Sequence, residues 1–451
     1  MRTAPSAQDR VHWAKKFDEH TELQMRARQV YYKVRELSRR GQVLCIMQDG
    51  SDQSKYRIVR VVETPKEFDG AWCPRMKLLG SWAHGYVGCF WLLEEDVQRS
   101  GPDLTVEALM STIEEARREC SARGTEMPRH LWVQLDNTPA ENKNKYVLQA
   151  LAALVGRNVF DTATAGFLRV GHTHEDLDSV WGVNQTVLGR SLAWDCPDDI
   201  ISLTHTVVSN LLSERAVVER MDFVRDWKGW GAPLGIRFQG IGNGPGAQHF
   251  YRFWRRSAIP MDLLKRVPVG QDAGDLPGDV LLEVRQFMSS GEPCQDFELV
   301  LHHGEADLLE PSPSGLLPRR SLACGAVRLL RAFVQKLQVH FPERRRAVQY
   351  LLEWSTRSET GGLNKPRRLG FLGGQPDAPR HASVWVPRPL ATGELPARHV
   401  SVARCRKRPV ESGGLPSFTV WLARRQAQGV SAEQARCEWN GFALMRGLEP
   451  V

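Results

Sequence analysis

Two short apolar runs constrain the fold of this chain more than any other feature. Residues 42–47 (Gln-Val-Leu-Cys-Ile-Met) and 130–135 (His-Leu-Trp-Val-Gln-Leu) are continuous rather than alternating, so both faces of the strands they form need cover. Each run ends in an acid, the first at Gln48-Asp49-Gly50 and the second at Asp136-Asn137. Between them, residues 76–81 and 86–93 read as strands joined by a tight connection at 82–85, which makes them antiparallel neighbours. Val106, Leu109, Met110, Ile113, Ala116 and Cys120 then recur at helical spacing. Beyond Asp136, Thr138-Pro139-Ala140-Glu141 offers a cap residue, a proline for the first helical position and a capping-box glutamate. This predicts a helix beginning there and carrying Val147, Leu148, Leu151, Leu154 and Val155. A fifth strand over 165–170 leads to a helix through Asp178, Trp181 and Val187, which Thr173 and Asp176 can cap. The order strand, strand, strand, helix, strand, helix, strand, helix predicts an α/β fold with a mixed sheet flanked by helices.

At 451 residues the chain exceeds what one small core organises. Residues 1–40 read as a helical lead-in with Val30, Tyr31, Val34 and Leu37 on one side, and 41–230 as the α/β domain. Residues 231–310 form a β-rich extension. There, 235–239 and 249–255 read as strands around the glycine-rich segment 240–246; the alternation of Phe250-Tyr-Arg-Phe-Trp254 makes that segment a hairpin loop, not a dinucleotide cradle. Residues 311–451 are rich in Pro, Gly and Arg and predict a less regular α+β region, with helices near 326–339 and 346–354.

No window holds the roughly 18 uncharged apolar residues that a membrane span needs, and the first residues lack the apolar stretch of a secretory signal. An intracellular, nuclear chain without a membrane is the expectation. Nine dispersed cysteines with no CxxC pair argue against a disulfide framework or a zinc knuckle. Sixty Lys and Arg against 52 Asp and Glu leave a net charge of +8. The excess is local, with fourteen Lys or Arg against five acids between Phe341 and Arg408. It gathers at Arg344-Arg345-Arg346, at Lys365, Arg367 and Arg368, and at Arg404 with Arg406, Lys407 and Arg408. Such clusters are either solvated surface or contacts to the phosphates of a nucleic acid, DNA in particular.

Asp49, Asp136 and the Glu175–Asp178 cluster stand at the C-terminal ends of strands or one helical turn beyond, where carboxylates from separate strands converge. Converging carboxylates suit hard divalent ions, and an ion pair about 3.5–4 Å apart can clamp both oxygens of a phosphodiester displacement. Taken singly, Asp49 is equally a turn residue and Asp136-Asn137 equally a helix cap. The run Glu94-Glu95-Asp96 reads as the solvated end of a strand. The HxHxD string His172-Thr-His174-Glu-Asp176 matches the start of the zinc site of metallo-β-lactamase-type hydrolases, but the next position, where they need histidine, is Leu177.

The strand order and the placing of these acids resemble the ribonuclease H-like domain of DDE/DDD transposases and integrases. The strings 47–55 (Met-Gln-Asp-Gly-Ser-Asp-Gln-Ser-Lys), 134–144 (Gln-Leu-Asp-Asn-Thr-Pro-Ala-Glu-Asn-Lys-Asn) and 170–178 (Val-Gly-His-Thr-His-Glu-Asp-Leu-Asp) are similar to those of a transposon-related eukaryotic domain family. The resemblance covers about residues 41–189. It implies Asp49, Asp136 and Asp178 as catalytic Mg2+ or Mn2+ ligands, with Glu175 as a substitute for Asp178 one helical turn away. It further implies attack of water or a 3′-hydroxyl on a phosphodiester, and supporting roles for Asn137, His172 and His174 around the ligands. A catalytically silent descendant that binds nucleic acid or protein is the alternative. Unlike better-known transposases, the sequence carries no zinc finger or helix-turn-helix ahead of Asp49.

Overall fold

The structure is a computed structural model that describes residues 7–360, apart from 52–55, 61–65, 69–71, 95–99, 168–175, 191–193, 239–240, 242–246, 268–275, 289–295, 311–312, 314 and 319–323. The chain divides into two units, Met1–Asp377 and Ala378–Val451, and every described residue lies in the first. A 33-residue helix, α1 (Ala7–Arg39), precedes the first strand, β1 (Leu44–Gly50). Then follow β2 (Met76–Ala83), β3 (Val87–Glu94), α2 (Pro102–Ala122), β4 (His130–Leu135), α3 (Lys145–Gly156), β5 (Thr162–Phe167) and α4 (Asp176–Arg190). This is the order of elements expected from the sequence.

After α4 come α5 (Pro197–Leu211), β6 (Arg215–Arg220), α6 (Trp227–Gly231), β7 (Phe250–Arg255), β8 (Val280–Arg285), β9 (Glu298–Leu301), α7 (Cys324–His340) and α8 (Arg345–Thr360). The nine strands form one sheet in the order β6-β3-β2-β1-β4-β5-β7-β8-β9. Its centre is β3-β2-β1-β4-β5, with β1 antiparallel to β2, and parallel to β4, which is in turn parallel to β5. That order and sense make it a ribonuclease H-like mixed sheet. The β-rich extension adds to the same sheet, because β7 pairs with β5 and carries β8 and β9 outward.

Alternation along the strands divides the apolar residues between two faces. Leu44, Ile46, Leu131, Val133 and Leu135 pack with α2 and α3 residues such as Leu109, Ile113, Val147 and Leu151. Cys45, Met47 and Trp132 join a second cluster with Tyr31 of α1, Leu177 and Trp181 of α4, and Ile200 of α5. Leu330 and Phe333 of α7 and Leu351 and Trp354 of α8 belong to that cluster too. The first helices of the Pro/Gly/Arg-rich region are thus part of the core.

Four local expectations are corrected. The helix after β4 begins at Lys145, with Asn144 as its cap: the Asn144 side chain accepts from the backbone N–H of Tyr146 and Val147. Residues 138–144 make only a closed turn, in which the Thr138 carbonyl accepts from the N–H of Glu141, Asn142 and Lys143. The Thr138 hydroxyl turns back to Asp136, so it caps nothing ahead of it. Strand β5 begins at Thr162, three residues before the expected start, because Thr162 pairs with His130 at the start of β4. Residues 235–238 are not a strand; Gly235, at φ 61°, closes the short helix before it. Glu94 is buried rather than solvated, bonded by Arg220 at 2.5 Å and by the Tyr350 hydroxyl at 3.1 Å.

Candidate active site

Strand β1 pairs with β4 from Leu44 opposite Leu131 to Met47 opposite Gln134. Two residues further on, β1 reaches Asp49 and the chain leaving β4 reaches Asp136. The Asp49 side chain shares the parity of Cys45 and Met47 and so lies on the face covered by α4, while Asp136 stands one residue beyond the end of β4. Beyond Met47 the β1 backbone is held from the β2 side alone, where Asp49 is opposite Gly80. The two acids thus sit at a notch where β4 has ended and β1 runs on.

Gly80 brings the third acid in. A Cβ there would lie 2.7 Å from Cζ2 of Trp181 and 3.0 Å from Cδ2 of Leu177, so only glycine lets α4 rest this closely on β2. Trp181 also packs edge-on against Phe90, with ring centroids 5.7 Å apart. Asp178 stands between Leu177 and Trp181 on that helix and is half-buried.

The electrostatics of Asp49 register this convergence. Its carboxyl is pushed up to about 7, first by burial and then by the charge of Asp178, with Asp136 adding to the rise. The Gly50 N–H and the Trp181 indole pull the other way, the indole at a geometry too loose for a hydrogen bond. A half-buried carboxyl facing two others is short of positive charge.

The turn after Asp136 is built around it. Asp136 accepts from the Thr138 N–H at 3.1 Å, from the Thr138 hydroxyl and from the Asn142 amide. Asn142 is held in turn by the Thr105 hydroxyl at 2.9 Å. Lys77 of β2 reaches both carboxylate oxygens of Glu141 at 2.8 Å. Lys143 is fully buried with its ammonium 5.6 Å from the Phe167 ring centroid, and burial pushes it down to about 8. Asn144 caps α3. The sequence suggested a capping-box role for Glu141 and only a family mark in Asn142-Lys143-Asn144; the signal was a run of polar residues soon after an acid, each of which has a bracing or capping task or is buried. Asn137 is buried beside them.

Among the described residues, no group of three or more His, Cys, Asp or Glu side chains is disposed to hold a metal ion. Glu175, His172 and His174 lie outside the described residues. Asp176 is engaged with α1: Arg35 grips it at 2.7 and 2.5 Å and the Tyr31 hydroxyl donates to it at 3.0 Å. His84, whose ring nitrogen is 2.7 Å from the Tyr31 oxygen, is pushed down to about 3 by burial and is neutral.

Of the basic candidates, Arg344 pairs with Asp195 and donates to the Arg60 carbonyl at 2.8 Å. Arg346 pairs with Asp199 at 3.1 Å, and Arg345 is exposed. Two of the three therefore tie α8 to the start of α5. Lys365, Arg367, Arg368, Arg406, Lys407 and Arg408 lie outside the described residues. Among the described residues, no helix is long and apolar enough to cross a membrane.

Residues 66–259 match a family described as a domain of unknown function, DUF7869. The match takes in Asp136, Asp178 and the turn between β4 and α3, and leaves Asp49 outside. No curated protein and no solved structure matches the chain.

Proposed function

We propose that this chain is a metal-dependent nuclease or polynucleotidyl transferase of transposon descent, acting on nucleic acid, DNA in particular, in the nucleus. The observation that carries the reading is that Asp49, at the end of a strand parallel to β4, feels the charges of both Asp178 and Asp136. Carboxylate oxygens are the hard donors that Mg2+ or Mn2+ prefers. Asp49, Asp136 and Asp178 would hold the ion, with Glu175 three residues before Asp178 in sequence as its substitute. A bound divalent ion would supply Lewis acidity toward a phosphodiester oxygen and lower the pKa of a bound water. Asp49 contributes a carboxyl whose ionisation the ion favours. Thr138 and Asn142 fix the rotamer of Asp136, leaving about one of its four lone-pair positions open to a ligand. Gly80 and Trp181 set the approach of Asp178.

A second reading, a descendant that binds nucleic acid or protein without turnover, is favoured by that same saturation of Asp136. One assay separates them. The 451-residue chain, given Mg2+ or Mn2+ and a panel of single- and double-stranded DNA and RNA, should cut or join strands. Asp178→Ala should lower the rate by about a hundredfold or more, with Glu175→Ala milder. Binding without turnover under every ion tested would leave the second reading. Zinc-dependent activity lost in His172→Ala and His174→Ala would move the assignment to the HxHxD motif.

A further inference from the structure

Three arginines show how this fold settles a buried guanidinium. Arg35, Arg220 and Arg225 keep 20%, 18% and 3% of their side-chain surface in water, and each bonds a carboxylate of its own, on Asp176, Glu94 and Glu107. Arg252 of β7 is scarcely more open, at 24%, yet the carboxylate nearest to it among the described residues, that of Glu283, is 3.9 Å from Nη1. That is beyond hydrogen-bond reach. Glu283 stands opposite Arg252 on β8 and is fully buried, but its bonds go elsewhere. Its Oε1 accepts from Nε of Arg285 at 2.6 Å and its Oε2 from the Trp254 indole at 2.7 Å. Two guanidinium groups thus share one carboxylate, and one positive charge is left over. Burial pushes Arg252 down to about 10, with the charge of Arg285 adding to the fall and Glu283 opposing it.

The side chain is also fixed in place. Phe250 and Trp254, two residues to either side on the same strand, set their ring centroids 4.9 and 5.2 Å from its guanidinium carbon. The Thr164 hydroxyl of β5 accepts from Nε at 3.0 Å. Among the described residues neither terminal nitrogen makes a hydrogen bond, so the end of the fork is open. A rigid, charged fork with both prongs open matches two oxygens of one phosphate. Inorganic phosphate, a monoester and a nucleic-acid diester all present two such oxygens.

We propose that Arg252 anchors a phosphate-binding site on the β5–β7–β8 part of the sheet, gripping two oxygens of one phosphate group through Nη1 and Nη2. This is independent of the carboxylate site.

Thermal unfolding of the full chain at constant ionic strength, with inorganic phosphate from 0 to about 30 mM exchanged for chloride, tests it. Phosphate should raise the Tm of the wild type by about 1–3 °C once it is well above its dissociation constant. Arg252→Met fits between the same two rings and leaves Glu283 both of its donors. In chloride it should unfold at the wild-type temperature or above, because an unmatched buried charge has gone. Its gain in phosphate should shrink to the general salting effect that both proteins share. Arg252→Lys keeps the charge without the fork, should retain only part of the gain, and carries the same comparison where the methionine chain is unstable. A wild type that gains nothing overturns the proposal, and so does a gain as large in either variant as in the wild type. A twenty-residue oligothymidylate then identifies the source of the phosphate. If it is a nucleic-acid strand, Arg252→Met should bind about tenfold more weakly, with a salt slope lower by about 0.7. Unchanged affinity for the strand beside a lost phosphate response assigns the site to free phosphate or a small monoester.

Discussion

Asp49 shows how much of a site one residue's neighbours decide. An unfolded aspartate ionises near 3.9, whereas in the fold its carboxyl is pushed up to about 7 by burial and by Asp178 and Asp136. The folded chain therefore binds the proton more tightly than the unfolded chain. Stability from this group is fully present below about pH 4 and is lost as pH rises through 7. Asp49→Asn should flatten that part of the profile and stabilise the chain at pH 8 by about 2 kcal/mol, once partial exposure discounts the roughly 4 kcal/mol upper bound. Urea unfolding of both proteins at pH 5 and 8 checks this. Added Mn2+ should raise the stability of wild type at pH 8 and do little for Asp49→Asn, because binding to the folded state alone shifts the equilibrium. Equal responses would remove Asp49 from the ligand set.

At the scale of elements, the site depends on how closely α4 approaches the sheet and on how the chain leaves β4. Gly80→Ala puts a methyl 2.7 Å from Trp181 and must push α4 outward. A loss of about 1–3 kcal/mol is expected, together with weaker divalent-ion binding by calorimetry as Asp178 moves away from Asp49. A Gly80→Ala chain with unchanged ion affinity would show that α4 does not set the site. Asn144→Ala removes the cap of α3 and should cost about 1 kcal/mol in thermal unfolding. The cap was misassigned from sequence because Thr138-Pro139-Ala140-Glu141 satisfies every local rule for a helix start. Asp136 overrides those rules by taking the Thr138 hydroxyl and amide for itself. Lys77 then draws Glu141 to β2. The helix can start only where the next side chain is free to cap, at Asn144.

For the whole molecule, affinity for duplex DNA should fall steeply with salt, at about 0.9 log units per log unit of salt for each phosphate neutralised. Arg406, Lys407 and Arg408 changed together to Ala should reduce that slope by two to three if all three touch phosphate. Arg344→Ala should loosen the α5–α8 contact and leave the slope unchanged, since Arg344 is already spent on Asp195 and the Arg60 carbonyl. Filter binding between 50 and 300 mM salt decides both. The sequence alone determined the order of strands and helices, the burial of β1 and β4 on both faces, and the acids at their ends. Those follow from periodicity and from the rule that a continuous apolar run needs two covers. Tertiary structure alone decided that β7–β9 extend the same sheet, that α7 and α8 complete its core, that Asp176 serves Arg35 rather than Asp49, and that Glu94 is buried against Arg220. These rest on contacts between residues up to about 280 positions apart in the chain. No local pattern encodes them, because burial and charge at each such residue are set by whichever distant segment packs against it.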